Sequence, residues 1–252
     1  MKLLDLTLAT PAANLAWDEA LLNSAEAGDG GEILWFWEPQ EYFVVVGYAN
    51  KVETEVKVAA CTAQKVPIFR RCSGGGTVLQ GPGCLNYTLI LQITENPPLA
   101  SISGANRFIM EQNRVAIESE IRSRTPDAAI AVLGHTDLTL VTRHPPPVTP
   151  RKFSGNSQRR HRRFLLFHGT FLLNFDLPRV NELLHMPSRQ PDYRHHRGHT
   201  DFLTNLNLPA VRLKSALGRI WNAAERLQEV PDREAQKLAA EKYSTAGWNF
   251  KS

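Results

Sequence analysis

The stretch Arg70-Arg71-Cys72-Ser73-Gly74-Gly75-Gly76-Thr77-Val78-Leu79 decides how the rest of the chain is read. Before it, Val66-Pro67-Ile68-Phe69 reads as a short strand. After it, Thr77-Val78-Leu79 and Leu85 to Ile93 read as two more, joined by the turn Gln80-Gly81-Pro82-Gly83. Glycine permits positive φ and lets a ligand approach bare backbone N–H groups. Successive N–H groups of this kind cup an anion. Arg70 and Arg71 add fixed positive charge and a fork that fits phosphate or carboxylate. A flexible turn beside a solvated arginine pair is the plainer reading, but the flanking strands and the arginines favour an anion-binding loop. No Lys-Ser/Thr follows the glycines, so the stretch is not a P-loop. No helix follows it, so it is not a dinucleotide-binding fingerprint.

Working outward, Thr10-Pro11 is a helix start and Gly28 its end. Ile33 to Trp37 and Phe43 to Val46 read as strands around Glu38-Pro39-Gln40, a hairpin. Asn50 to Gln64 has helical spacing of its apolar residues. Leu85 to Ile93 alternates as a strand with one buried face. A helix follows over Gly104 to Arg124, then a strand pair, Ala128 to Leu133 and Asp137 to Val141, across Gly134-His135-Thr136. The proline-rich segment 143–150 is irregular. Phe164 to Phe175 reads as a long strand, Leu177 to Leu184 as a short helix, and Gln190 to Asn207 as a polar loop. Val211 to Glu229 and Asp232 to Tyr243 read as helices. There is no internal repeat. Residues 1–252 read as a single α+β domain, with a mixed, largely antiparallel sheet flanked by helices.

Composition narrows the possibilities. With 42% hydrophobic residues among 252, the chain can bury a real core. No run of about 18 apolar residues exists to span a membrane. A net charge of +4 and a pI near 9.0 suit acidic partners or phosphates but are too weak to argue for nucleic acid. The three cysteines, Cys61, Cys72 and Cys84, give neither a disulfide framework nor a zinc pattern. The expected compartment is a reducing cytoplasm.

Lys152 stands between the proline-rich segment and Ser154-Gly155-Asn156, which reads as a tight turn able to wrap a ligand. A lysine facing a phosphate cup can neutralise charge on a phosphorus centre under attack; an ordinary exposed lysine is the alternative. His168 sits among apolar residues, as a buried hydrogen-bonded histidine or, less simply, a general base. Asp137 is a candidate for Mg²⁺ or adenine-side polar groups, or a turn cap. The basic run 158–163 is either a docking patch for an acidic protein or a charged strand end. His195, His196 and His199 lie at no metal-ligand spacing. Cys72 and Cys84 flank the glycine loop with no base evident nearby.

Four motifs in order carry a resemblance. Arg-Arg-Cys-Ser-Gly-Gly-Gly-Thr-Val at 70–78, Gly-His-Thr-Asp-Leu at 134–138, Lys-Phe-Ser-Gly-Asn at 152–156 and His-Gly-Thr-Phe-Leu-Leu-Asn at 168–174 resemble the lipoate-protein ligase A family. That family lies within the biotin/lipoate ligase and octanoyltransferase superfamily. Asn14 to Leu22, Val44 to Gly47 and the end around Trp248-Asn249 also fit.

The resemblance implies a class II synthetase-like catalytic domain and a two-step ligase. Lipoate attacks the α-phosphate of Mg²⁺-bound ATP, giving lipoyl-AMP; a carrier-domain lysine then takes the lipoyl group. It implies ATP or adenylate contacts at Arg71, Gly74, Gly75, Gly76, Thr77, Val78, Leu79 and Asp137. Lipoate contacts would be Arg71, Gly75, Lys152 and His168, with Lys152 catalytic and Mg²⁺ brought by ATP, with Asp137 as its candidate contact. The implied carrier is the lipoyl domain of a 2-oxoacid dehydrogenase E2, glycine cleavage H protein or similar, with neither nucleic acid nor membrane as partner. His135-Thr136 replaces the family's usual Arg-Asn. Long ligases carry an accessory domain beyond the Trp-Asn segment, where this chain ends, so the expectation is a chain without that domain, served by a separate accessory subunit or self-sufficient. Octanoyltransferases of the same superfamily use an acyl-cysteine beyond the His-Gly-Thr strand, where this chain has no cysteine. A non-catalytic binding module is the remaining rival.

Overall fold

The computed structural model describes residues 1–95, 98–122, 126–142, 149–227 and 231–251. The first helix, α1 (Pro11–Ala27), begins where Thr10 Oγ1 accepts from the Ala13 N–H at 3.2 Å, with Pro11 at N1. It ends at Gly28, whose φ of 102° needs glycine. Its residues are buried on nearly every side because it lies between the large sheet and the C-terminal helices.

In chain order the strands are β1 (Lys2–Asp5), β2 (Ile33–Trp37), β3 (Phe43–Val46), β4 (Ile68–Arg70), β5 (Val78–Gln80), β6 (Cys84–Gln92), β7 (Ala128–Leu133), β8 (Asp137–Thr142), β9 (Arg151–Arg160), β10 (Phe164–Leu172) and β11 (Glu225–Arg226). Eight form one sheet, β11-β1-β2-β6-β10-β9-β8-β7, parallel only where β1 meets β2 and β11. The other three form a small sheet, β4-β3-β5. Two cores cover the large sheet. Leu34, Phe36, Tyr87 and Phe167 pack on one face with helix α4 (Ile102–Ile121) and α7 (Ala210–Ile220). Ile33, Trp35, Trp37 and Leu166 face the other way, toward α1. β2 is thus buried on both faces, which explains its unbroken apolar run.

This mixed, mostly antiparallel α+β architecture is the one expected, but two expected hairpins do not form. β2 and β3 belong to different sheets, and so do β5 and β6. The chain crosses between sheets at both turns because each strand finds its partner far away in sequence. At the second turn Gly83 has φ +89°, and its carbonyl accepts from Leu173 and Asn174 N–H. A Cβ there would lie 2.2 Å from the Asn174 carbonyl oxygen. The corner is pinned to the end of β10 instead of closing a hairpin. Hairpin pairing does hold for β7 with β8 and β9 with β10.

Three further expectations are corrected. Ser154-Gly155-Asn156 is no turn: it lies inside β9, paired to β10 on one side and β8 on the other. The segment 50–64 makes two short helices, α2 (Val52–Glu55) and α3 (Val58–Ala63), broken where Val56 bridges to Leu184. The helix α7 stops at Ile220; Asn222 then takes φ +50° and the chain turns to pair β11 with β1. Residues 228–230, expected at the end of that helix, lie outside the described residues, as do 143–148 of the irregular segment. Helix α5 is Pro178–Leu183, and the loop 190–207 holds a 3-10 turn, Asp192–Arg194, and helix α6, His199–Phe202. The chain closes with α8 (Asp232–Leu238), a π-turn to Tyr243 and α9 (Ala246–Asn249).

Arg70 ties this end to the small sheet. Its guanidinium, 1% exposed, donates to the carbonyls of Gly47, Tyr48, Asn50, Trp248 and Lys251 at 2.7–3.1 Å. Its backbone N–H meets Asn249 Oδ1, and Trp248 Nε1 returns to its carbonyl at 2.8 Å. Arg70→Met leaves those carbonyls without a donor and should destabilise the fold by about 3 kcal/mol or more. Thermal unfolding should show Tm lowered by roughly 5–10 °C; an unchanged Tm would contradict the clamp.

Candidate active site

The glycine loop is shaped from within. Arg71, buried beneath it, donates from Nη2 to the carbonyls of Gly74 (2.5 Å) and Gly76 (2.6 Å). Its Nε donates to Gly74 O and Ser73 Oγ at 3.0 and 3.1 Å. Burial lowers the guanidinium pKa to about 10, so it remains charged at neutral pH. With the carbonyls drawn inward, the N–H groups of Gly74, Gly75 and Gly76 have no protein acceptor among the described residues, and all three glycines are exposed. Gly75 has φ +85°, and Gly47 passes so close beneath it that a Cβ at 47 would lie 2.0 Å from the Gly75 oxygen. Beyond the glycines, Thr77 Oγ1 accepts from Asn50 Nδ2 at 3.4 Å. Val78 and Leu79 enter β5 opposite Val45 and Val44. Both arginines read from sequence as anion partners therefore hold backbone carbonyls.

The second corner is built on β8 and β9. Lys152 Nζ lies 2.7 Å from Asp137 Oδ1, and the Tyr193 hydroxyl donates to Asp137 Oδ2 at 2.7 Å. Burial, then the adjoining carboxylate, pushes the Tyr193 phenol far up. Asp137 pairs with Gly155, and a register shift between Leu138 and Thr139 sets Lys152 over Gly155. A Cβ at 155 would meet Nζ at 2.7 Å, so glycine is what admits the ammonium. The segment 190–204 packs against this corner: Thr204 N–H donates to Lys152 O, and Arg151 Nη2 donates to the carbonyls of Thr200 and Leu203.

One sheet face joins the two corners. Gly155 and Ser157 follow each other on that face of β9, about 7 Å apart by strand rise. Lys152 lies over the first, while Ser157 Oγ donates to Gly74 O at 2.8 Å. Opposite Ser157 in β10 stands His168, 8% exposed, with Nε2 2.5 Å from Ser73 Oγ and Nδ1 2.7 Å from Asp18 Oδ2. The structure thus brings Lys152, Asp137, His168 and the loop to one side of the sheet. Asn156 points to the other side, where Tyr87 OH donates to its Oδ1 at 2.7 Å.

Other sequence candidates stand apart. Arg159 donates to Cys72 O at 2.9 Å, Arg160 to Leu99 O at 2.8 Å, and Glu26 accepts the N–H of Arg163, so much of the basic run is spent internally. His199 is buried against the His185 carbonyl and Arg194, and burial lowers its pKa. His195 and His196 take left-handed backbone, φ 49° and 58°. Among the described residues no group of three or more His, Cys, Asp or Glu could hold a metal. No helix among them is long and apolar enough to cross a membrane. Sequence reasoning missed Asp18, Ser73 and Tyr193. Only Asp18 had a signal, being an acidic residue inside an apolar helix.

Comparison with known proteins fits this geometry. Over 270 aligned residues the chain is 27% identical to octanoyltransferase LipM of Halalkalibacterium halodurans, covering 96% of this chain and 95% of the relative. Two solved structures share the fold. One is a bi-partite lipoate protein ligase, studied with its E2 lipoyl domain, from Thermoplasma acidophilum (TM-score 0.77, 23% identity, 99% of this chain and 95% of that one). The other is a lipoate-protein ligase A bound with ATP (TM-score 0.77, 22% identity, 99% and 98%). The model of the lipoyl protein ligase A/B catalytic domain matches residues 10–213, which include the glycine loop, Asp137, Lys152 and His168, and this chain belongs to that family.

Proposed function

We propose that this chain is an ATP-dependent lipoate-protein ligase, which activates lipoate as lipoyl-AMP and transfers the lipoyl group to a carrier-domain lysine. One observation carries the reading: the Lys152 ammonium and the glycine loop touch the same sheet face at Gly155 and Ser157, residues a single strand repeat apart. The loop offers amides to phosphate oxygens, and the lysine offers positive charge where the acyl group would meet the α-phosphate. The ATP and the E2 lipoyl domain of the two structural neighbours support the substrates assigned. The bi-partite neighbour likewise supports a separate accessory chain, and the reading places the work in the cytoplasm.

On this reading the ATP phosphates rest on residues 74–79, with Arg71 supporting the loop from below. The lipoate carboxylate forms a bond to the α-phosphorus while the bond to pyrophosphate breaks. Lys152 turns from Asp137 toward the charge developing on the phosphoryl oxygens and, in the second step, on the acyl carbonyl. The carrier lysine attacks that carbonyl, loses a proton and expels AMP. The acyl tail lies along the His168 face of the sheet. Mg²⁺ would arrive with ATP and offset phosphate charge. Both oxygens of Asp137 are already held by Lys152 and Tyr193, so an ion contacting Asp137 would displace one of them.

Kinship with octanoyltransferase LipM favours a second reading, transfer through an acyl-cysteine. The thiols argue against it. Cys61, Cys72 and Cys84 are all buried, and burial pushes Cys72 and Cys84 up to about 12, leaving almost no thiolate at neutral pH.

Two outcomes follow. Lys152→Ala should lower lipoate-dependent pyrophosphate release from ATP by about 10²–10³-fold; turnover near the wild-type rate would remove Lys152 from the chemistry. At pH 8 the native protein should resist alkylation by iodoacetamide at Cys72 and Cys84, with both reacting once it is unfolded. Rapid labelling of either in the native state would restore the transferase reading.

A further inference from the structure

Helix α1 buries two adjacent carboxylates, Asp18 and Glu19, 2% and 6% exposed. Glu19 has a cation: Lys242 Nζ lies at 2.6 Å, the Tyr243 hydroxyl donates at 2.8 Å, and Arg159 is 3.8 Å away. Asp18 contacts no lysine or arginine among the described residues. Its Oδ1 accepts from Thr88 Oγ1 at 2.6 Å, and its Oδ2 faces His168 Nδ1 at 2.7 Å. From there the contacts continue in line, His168 Nε2 to Ser73 Oγ and Ser73 Oγ to Arg71 Nε.

Counting hydrogens gives this line a direction. A carboxylate only accepts, so His168 donates from Nδ1. In the neutral ring Nε2 is then an acceptor, and the Ser73 hydroxyl donates to it. That leaves a Ser73 lone pair for the Arg71 Nε–H. Each hydrogen is used once, and the line ends on the guanidinium that holds the carbonyls of Gly74 and Gly76. Burying a carboxylate without a cation is costly. An apolar residue at position 18 would avoid that cost. What Asp18 adds is a fixed direction for the His168–Ser73 hydrogen bond, which leaves the Ser73 lone pairs to Arg71.

We propose that Asp18 is a positioning residue for the glycine loop, acting through the tautomer of His168 and the hydroxyl of Ser73 on Arg71. Its consequence for ATP rests on reading the loop as the phosphate site. The loop's response to the tautomer does not.

The test is Asp18→Asn, which keeps the side-chain shape and the acceptor for Thr88 but offers an N–H to His168 Nδ1. The ring then carries its hydrogen on Nε2. Ser73 Oγ then accepts from both His168 and Arg71, so the His168–Ser73 bond reverses, Arg71 must share that oxygen, and the Ser73 hydrogen loses its acceptor. Imidazole ¹⁵N NMR should show wild-type His168 protonated on Nδ1 and the variant on Nε2. The Gly74, Gly75 and Gly76 amide resonances should move, and the Kd for ATP should rise about 10–100-fold. Ser73→Ala cuts the line without touching α1. It should move the same glycine resonances while His168 keeps its Nδ1 hydrogen. Glycine resonances unmoved in both variants would overturn the proposal, as would wild-type His168 protonated on Nε2. Glycine resonances that follow the tautomer in a wild-type protein that binds no ATP would uphold the positioning role and overturn the ligase reading instead.

Discussion

A buried guanidinium must find acceptors, and here that requirement sets the site. Among the described residues Arg71 contacts no carboxylate, and it takes the carbonyls of Gly74 and Gly76. Each carbonyl turned inward leaves its neighbouring amide turned outward. The row of outward-facing amides is thus a consequence of satisfying Arg71, and the arginine adds its field from behind the backbone. Gly47 and Gly75 make this possible sterically, since the two backbones cross where no side chain fits. Arg70 does the same work one residue earlier for the C-terminal segment. Two adjacent arginines therefore organise a fold junction and the glycine loop.

The sheet brings the Lys152 ammonium and the glycine loop to one face. Without the irregularity opposite Leu138 and Thr139, strand alternation would send Lys152 to the side of Ser154 and Asn156. The bulge returns it to the side of Gly155 and Ser157, under the loop. Asp137 and Tyr193 then hold the ammonium in place, and Tyr193 brings the segment 190–204 with it. Two chain regions that share no local sequence signal, the strand pair β8-β9 and the histidine-rich segment, are coupled through the Asp137 carboxylate and through the backbone contacts of Arg151 and Lys152.

Much of this could be read from the residues. Thr10-Pro11 and Gly28 bound α1 to within a residue, because caps are local chemistry. The alternation from Leu85 onward marked β6, and the glycine loop and Lys152, singled out from the residues, do lie on one side of the sheet. What failed was non-local. β2 and β3 were each visible as strands, but whether two neighbours pair depends on what lies across the sheet, and Glu38 to Gln40 carries no information about that. Ser154-Gly155-Asn156 has turn-forming residues, yet β8 and β10 pair it as a strand and the glycine serves Lys152 instead. The ends of Asp18, His168, Ser73 and Arg71 meet only after three distant segments fold together. The acidic residues inside α1 and the histidine among apolar neighbours in β10 were the traces of that meeting in the chain itself.

Relatives of this chain bear the names of two activities, octanoyltransferase and lipoate-protein ligase, and the function proposed above is the second, with the acyl group held on phosphate and not on sulfur. Native mass spectrometry after incubation with lipoate, ATP and Mg²⁺ distinguishes them most directly. The account predicts a protein carrying lipoyl-AMP that is lost on denaturation and appears only when ATP is present. A lipoyl or octanoyl group that survives denaturation on a cysteine, acquired from an acyl carrier without ATP, would contradict it.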